Sequence, residues 1–139
     1  SEDDSAEFLF VYGTLKRSIG HPMHKELARY AQFIGEGSIR ARLYRISWYP
    51  GIALSDKGED QVQGEIYRIL NRDALLRILD EYEGVSSERP ELGEYTRALV
   101  EAEAGDGARL KCLAYVYNRG VREENRISCG VFRSGGKPS

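Results

Sequence analysis

"FLFVYGTLK", residues 8–16, decides how this chain is read. Its first five residues are all apolar or aromatic, and the run stops at Gly13. A strand with one wet face alternates apolar and polar residues, whereas a strand covered on both faces does not. Residues 8–12 therefore predict a central strand buried on both sides. The turn that follows offers three successive backbone N–H groups, on Gly13, Thr14 and Leu15. Such a turn is either an ordinary strand end or a nest that holds a carboxylate or an oxyanion. It is not a dinucleotide fingerprint, because no second and third glycine follow at the required spacing.

Outward from this strand, the chain alternates short elements. Pro22 opens a predicted short helix, "PMHKELARYA" (22–31), with proline at its first position. "QFIGEGSIRARLYRIS" (32–47) suggests one or two strands, and "WYPG" (48–51) reads as a turn with a Pro-Gly stop. "QVQGEIYRIL" (61–70) alternates as a strand does. "NRDALLRILDEYEG" (71–84) is the clearest helix, with Asn71 or Asp73 as cap and Gly84 as stop. "EYTRALVEAEA" (94–104) and "RLKCLAYVYN" (109–118) read as an antiparallel pair turning at "GDG" (105–107). Strands outnumber helices. The expectation is an α+β protein with a mixed, strongly curved or closed sheet and two or three helices packed on it.

The chain has 139 residues, 41% hydrophobic and 30% charged, which suits a single soluble domain over 8–132. Residues 1–7 and 133–139 are expected to be disordered tails. Net charge is −2, so no basic footprint invites nucleic acid or an anionic membrane. No apolar run is long enough to span a bilayer, and the acidic "SEDDSAE" is not a signal peptide. Cys112 and Cys129 are expected to be reduced and the chain cytoplasmic and monomeric. His21 and His24 make a poor zinc site without further ligands and are expected at the surface. No Ser-His-Asp or Cys-His system is plausible.

"LDEYEG" (79–84) carries three acids that a helical wheel separates. Leu75, Leu76, Ile78, Leu79 and Tyr82 share an arc of about 160°. Glu81 faces away from that arc, and Asp80 sits at its solvated margin. Glu83 lies inside it, about 80° from Leu75. There, partial burial and the negative end of the helix would both raise its pKa. A carboxyl so placed can take and return a proton. Alternatively, the helix frays and Glu83 caps a loop or meets Arg97. Tyr95 and Arg97 share one face of their strand and either orient a polar substrate or divide between core and surface. Tyr115 and Tyr117 either face a cavity or pack as a pair.

"FVYGTLK", "LDEYEG" and "YTR", in that order, together with "YPG" (49–51) and "QGEIYRI" (63–69), resemble the γ-glutamylcyclotransferase-like family, which includes γ-glutamylamine cyclotransferase and AIG2-like proteins. The resemblance runs from about Phe8 to Tyr117. It implies a small mixed β-barrel flanked by short helices. It also implies release of 5-oxoproline from a small γ-glutamyl amine or amino compound, by attack of the substrate's own α-amine and without metal or cofactor. By the same resemblance, Glu83 is the catalytic acid/base, and Tyr12, Gly13, Thr14, Leu15, Tyr95 and Tyr117 bind substrate. "GVSSERPELGE" (84–94) is longer than the matching loop of eukaryotic members and would border the pocket. The alternative is a non-catalytic module binding a small metabolite in the same pocket.

Overall fold

The computed structural model describes residues 6–17, 19, 21–85 and 88–132. Six strands and two α-helices follow one another as β1 (Phe8–Val11), α1 (Met23–Tyr30), β2 (Ala31–Arg45), β3 (Pro50–Leu54), β4 (Gln61–Ile69), α2 (Arg72–Glu83), β5 (Tyr95–Ala104) and β6 (Arg109–Tyr117). β1 lies at the centre, antiparallel to β4 and parallel to β6. β5 and β6 form the expected hairpin, and β2 pairs antiparallel with β4. Gly37 and Ser38 of β2 also pair with Ala104 and Glu103 of β5. That contact closes β2, β4, β1, β6 and β5 into a mixed barrel, and β3 adds to the free half of β2.

The apolar run at residues 8–12 now has its cause. Phe10 and Tyr12 point into the barrel, among Ile39, Val62, Ile66 and Cys112. Leu9 and Val11 point the other way, into a second core with Leu27 of α1 and Leu75 and Leu79 of α2. Each of those three leucines is fully buried, a gain of about 1.5–3 kcal/mol apiece. The helices are thereby fixed against the outer face of β1, which brings both of their ends near the loop that leaves it.

Residues 32–45 lie in one long strand, with a bulge between Phe33 and Gly35, which is one of the two arrangements the sequence left open. Two boundaries differ from expectation. "WYPG" is not a single turn: the chain reverses over residues 46–49, where the amides of Ile46 and Ser47 both donate to the Tyr49 carbonyl. Pro50 then opens β3. An edge strand accepts proline at its first position because no ladder bond is lost there. The N-terminal tail is shorter than 1–7. Ala6 is buried, its carbonyl accepts from Arg72, and the Glu7 carbonyl accepts from the Ile69 amide. The remainder of both expected tails lies outside the described residues.

The chain returns to the barrel after β6. Ile127 donates to Leu43 at 2.7 Å, Gln63 donates to Gly130 at 2.8 Å, and Phe132 is buried in the barrel core. Buried Asp60 anchors this return. It takes bonds from Ser55 (2.7 Å), Arg42 (2.9 Å) and Arg126 (2.9 Å), which hold its carboxyl down at about 2. Cys112 is a buried free thiol and Cys129 an exposed one. No helix among the described residues is long and apolar enough to cross a membrane.

Candidate active site

The acidic helix end is built as the wheel predicted for Glu83. Asn71 caps α2 by accepting from the Ala74 amide. Gly84 ends it in the left-handed region, at φ +71°, where glycine avoids the steric cost of a Cβ. Leu75 and Leu79 pin one face of the helix, so Glu83, near them on the wheel, is carried inward. Among the described residues, no side-chain hydrogen bond or ion pair reaches its carboxyl. Burial pushes that carboxyl up to about 8, and the nearby Glu94 carboxylate adds to the rise. The alternative in which Glu83 meets Arg97 does not occur.

Arg97 meets Asp80 instead. Its Nε lies 3.1 Å from Asp80 Oδ1, and Tyr115 donates its hydroxyl to the same oxygen at 2.7 Å. Asp80 is therefore not simply solvated, which corrects its reading as a marginal surface acid. A wheel describes one helix alone and cannot see the cation that β5 brings alongside. Glu81 is exposed, as expected.

The second half of the site is the loop after β1. The Lys16 amide donates to the Gly13 carbonyl at 3.1 Å, which folds residues 13–16 into a turn. A Cβ at Gly13 would lie 2.8 Å from Pro50 Cγ, so only glycine lets this loop pass β3. The amides of Gly13, Thr14 and Leu15 find no acceptor among the described residues. The loop is tied down from outside. Thr14 Oγ1 and the Tyr82 hydroxyl share a 2.7 Å hydrogen bond, and His24 Nδ1 lies 3.0 Å from the Leu15 carbonyl. His21 rests against the Tyr82 and Trp48 rings. Both histidines are thus half-buried supports of this region rather than free surface groups.

Glu83 and the loop face one cavity of about 260 Å³. Tyr12, Gly13, Thr14, Leu15 and Tyr95 all line it, as do Trp48, Tyr49, Pro50, Tyr82, Glu94 and Tyr115. Tyr12 donates its hydroxyl to the Tyr115 carbonyl at 2.6 Å, and Tyr95 donates to the Pro50 carbonyl at 2.5 Å. Their hydroxyls, bonded to backbone, brace the cavity walls. Tyr117 is not in the lining. It packs edge-on against Tyr95, 5.3 Å between centroids, and fills the space over Gly51. Of the two phenols of "YVY", the cavity takes Tyr115 and the packed pair takes Tyr117.

Glu94 went unread in the sequence. It is the last residue of the loop 84–94, and its amide donates to the Gly84 carbonyl at 2.9 Å. Tyr49 donates its hydroxyl to Glu94 Oε2, and this bond is the main reason the Tyr49 phenol is pushed up to about 12. Its position directly before Tyr95 was the only signal available. Among the described residues, no three His, Cys, Asp or Glu side chains are grouped to hold a metal ion.

Comparison with known proteins places this geometry. The chain superposes on YkqA from Bacillus subtilis with a TM-score of 0.67 at 24% identity, covering 91% of this chain but only 39% of that one. It superposes on an AIG2-like protein from Mus musculus with a TM-score of 0.64 at 23% identity, covering 96% and 97% of the two chains. A structure titled gamma-glutamyl cyclotransferase gives 0.61 at 22% identity, over 84% of this chain and 68% of that one. These likenesses establish the barrel with its two helices. No curated protein sequence matches the chain. The sequence profile described as "Gamma-glutamyl cyclotransferase, AIG2-like" matches residues 9–134, nearly the whole chain, and the protein belongs to that family.

Proposed function

We propose that this protein is a cyclotransferase that releases 5-oxoproline from a γ-glutamyl amine or γ-glutamyl amino compound. One observation carries the reading: a half-buried carboxyl with no side-chain partner among the described residues, Glu83, lines the same small cavity as residues 13–15, whose amides have no acceptor among the described residues. The cavity is of a size for one γ-glutamyl group.

The substrate's α-carboxylate, or the oxyanion that forms on its γ-carbonyl, takes the three amides. The α-ammonium is then turned toward Glu83. Ionised Glu83 accepts a proton, and the freed amine nitrogen attacks the γ-carbonyl carbon of its own chain. The new C–N bond closes a five-membered ring. The tetrahedral centre collapses by breaking the bond to the leaving nitrogen, which takes the proton held by Glu83. The ring nitrogen loses its second proton to solvent. The products are 5-oxoproline and the free amine, which then takes a proton from solvent. Nucleophile and electrophile are already tethered, so the protein's task is to hold a folded substrate and move one proton. Tyr95 and Tyr12 supply rigid walls for that fold.

The test is a panel of γ-glutamyl compounds scored by 5-oxoproline release. Glu83→Gln is expected to lose about 10²–10⁴-fold in kcat, the usual scale for a positioned acid/base. Wild-type turnover by Glu83→Gln would remove the mechanism. Binding of γ-glutamyl compounds with no release from any of them would leave a binding module.

A further inference from the structure

The mouth of the cavity differs in character from its floor. Trp48 is 60% exposed at the mouth, yet it is held in place. His21 lies parallel to its ring, 5.9 Å between centroids, and Tyr49 meets it edge-on at 5.1 Å. Tyr49 also reaches Glu94, which lines the same cavity and is fixed by the Tyr49 hydroxyl and by its own amide on Gly84. Among the described residues that line the cavity, none is Lys, Arg or His. Arg119 is near enough to Tyr49 to act on it electrostatically, but it is exposed and outside the lining.

We infer that Trp48, Tyr49 and Glu94 form the leaving-group subsite, and that it selects γ-glutamyl compounds whose departing amine carries a second, positively charged group. This rests on the cyclotransferase reading above. The amides of residues 13–15 are enough for one carboxylate, that of the γ-glutamyl group itself. With that end on the loop and the α-amine on Glu83, the variable part of the substrate leaves through the mouth. A cation there meets a carboxylate and an aromatic face, both attractive. A leaving group with its own carboxylate meets Glu94 with no lining cation to offset the repulsion. The preferred class is therefore a γ-glutamyl derivative of a diamine or polyamine, rather than of an α-amino acid or peptide.

The experiment compares γ-glutamyl derivatives of a short α,ω-diamine, an alkylamine of equal length and an ω-amino acid of equal length. Release of 5-oxoproline gives kcat/KM for each. The diamine derivative is expected to exceed the ω-amino acid derivative by about tenfold or more, with the alkylamine between. Glu94→Gln should bring the diamine-to-alkylamine ratio toward one, and Trp48→Ala should lower that ratio through KM. Raising the salt concentration should shrink the ratio in the unmodified protein, a readout that needs no variant. An equal fall on all three compounds in Glu94→Gln would mean that Glu94 serves the γ-glutamyl end, and would overturn the inference. So would an ω-amino acid derivative that matches or beats the diamine, as it would if Arg119 reached the leaving group. In both cases the cyclotransferase reading survives. Release from none of the three overturns that reading and this inference with it.

Discussion

Glu83 and Glu94 stand eleven residues apart and face the same cavity, because the Glu94 amide bonds the carbonyl of Gly84, next to Glu83, at 2.9 Å. One of the two acids is held by Tyr49, and the other has no side-chain partner among the described residues. Two like charges in one small cavity favour the state in which one of them keeps a proton. Glu83, with burial added, is the one raised to about 8. Two consequences can be measured.

The pH profile of kcat/KM should show an ascending limb set by Glu83. Proton acceptance needs the ionised carboxyl, so the rate climbs as pH rises and levels above about 8. Glu94→Gln removes the charge that contributes to the rise, and should move the midpoint to lower pH without returning it to 4.5, since burial is the larger cause. The check is the profile of both proteins on one substrate.

Stability should depend on the same group. Folded Glu83 keeps its proton up to about 8, whereas the unfolded chain releases it near 4.5. Between those values the folded state binds more protons, so rising pH favours unfolding. The contribution is fully present below 4.5 and is lost as pH climbs through about 8. Its size is of order a few kcal/mol. Urea melts from pH 5 to 9 should show the decline in the wild type and a smaller slope in Glu83→Gln, whose amide does not titrate.

Gly13→Ala tests the loop. The added methyl would lie 2.8 Å from Pro50 Cγ and 2.9 Å from Cδ, so the loop or β3 must shift. Overpacking of this kind costs about 1–3 kcal/mol. The larger effect is expected on activity, because a displacement of about 1 Å in the three amides can cost on the order of 100-fold. Retained circular dichroism with lost 5-oxoproline release would be the expected pair of results.

Asp80→Ala should act on the fold more than on the reaction. It strips the partner from Arg97 and from the Tyr115 hydroxyl. Both ionic side chains are about a quarter exposed, which limits the loss to about 1–3 kcal/mol. The kcat should fall far less than in Glu83→Gln. A loss comparable to that variant would give Asp80 a part in the chemistry.

Much of the architecture was legible because its causes are local. The apolar run at 8–12 required cover on both faces, and the barrel core and the helix core supply it. The hairpin around 105–107 and the stop at Gly84 follow from turn and cap chemistry within a few residues. The inward placement of Glu83 follows from helical periodicity anchored by Leu75 and Leu79. Pro50 was misread because its tolerance depends on whether the strand it opens is an edge, and that is a property of the sheet.

The site divides along the same line. By itself, the sequence singled out Glu83 as the acid of "LDEYEG" that lies over the apolar face of a helix and the glycine turn as a source of three amides, since spacing along one element sets both. Only the tertiary structure decided which groups share the cavity. It brought Glu94 and Trp48 to the mouth, set Tyr117 behind Tyr95, and gave Asp80 its arginine. Each of those outcomes depends on which strand lies beside which, and barrel closure, a pairing between residues 67 positions apart, Gly37 with Ala104, settles that order.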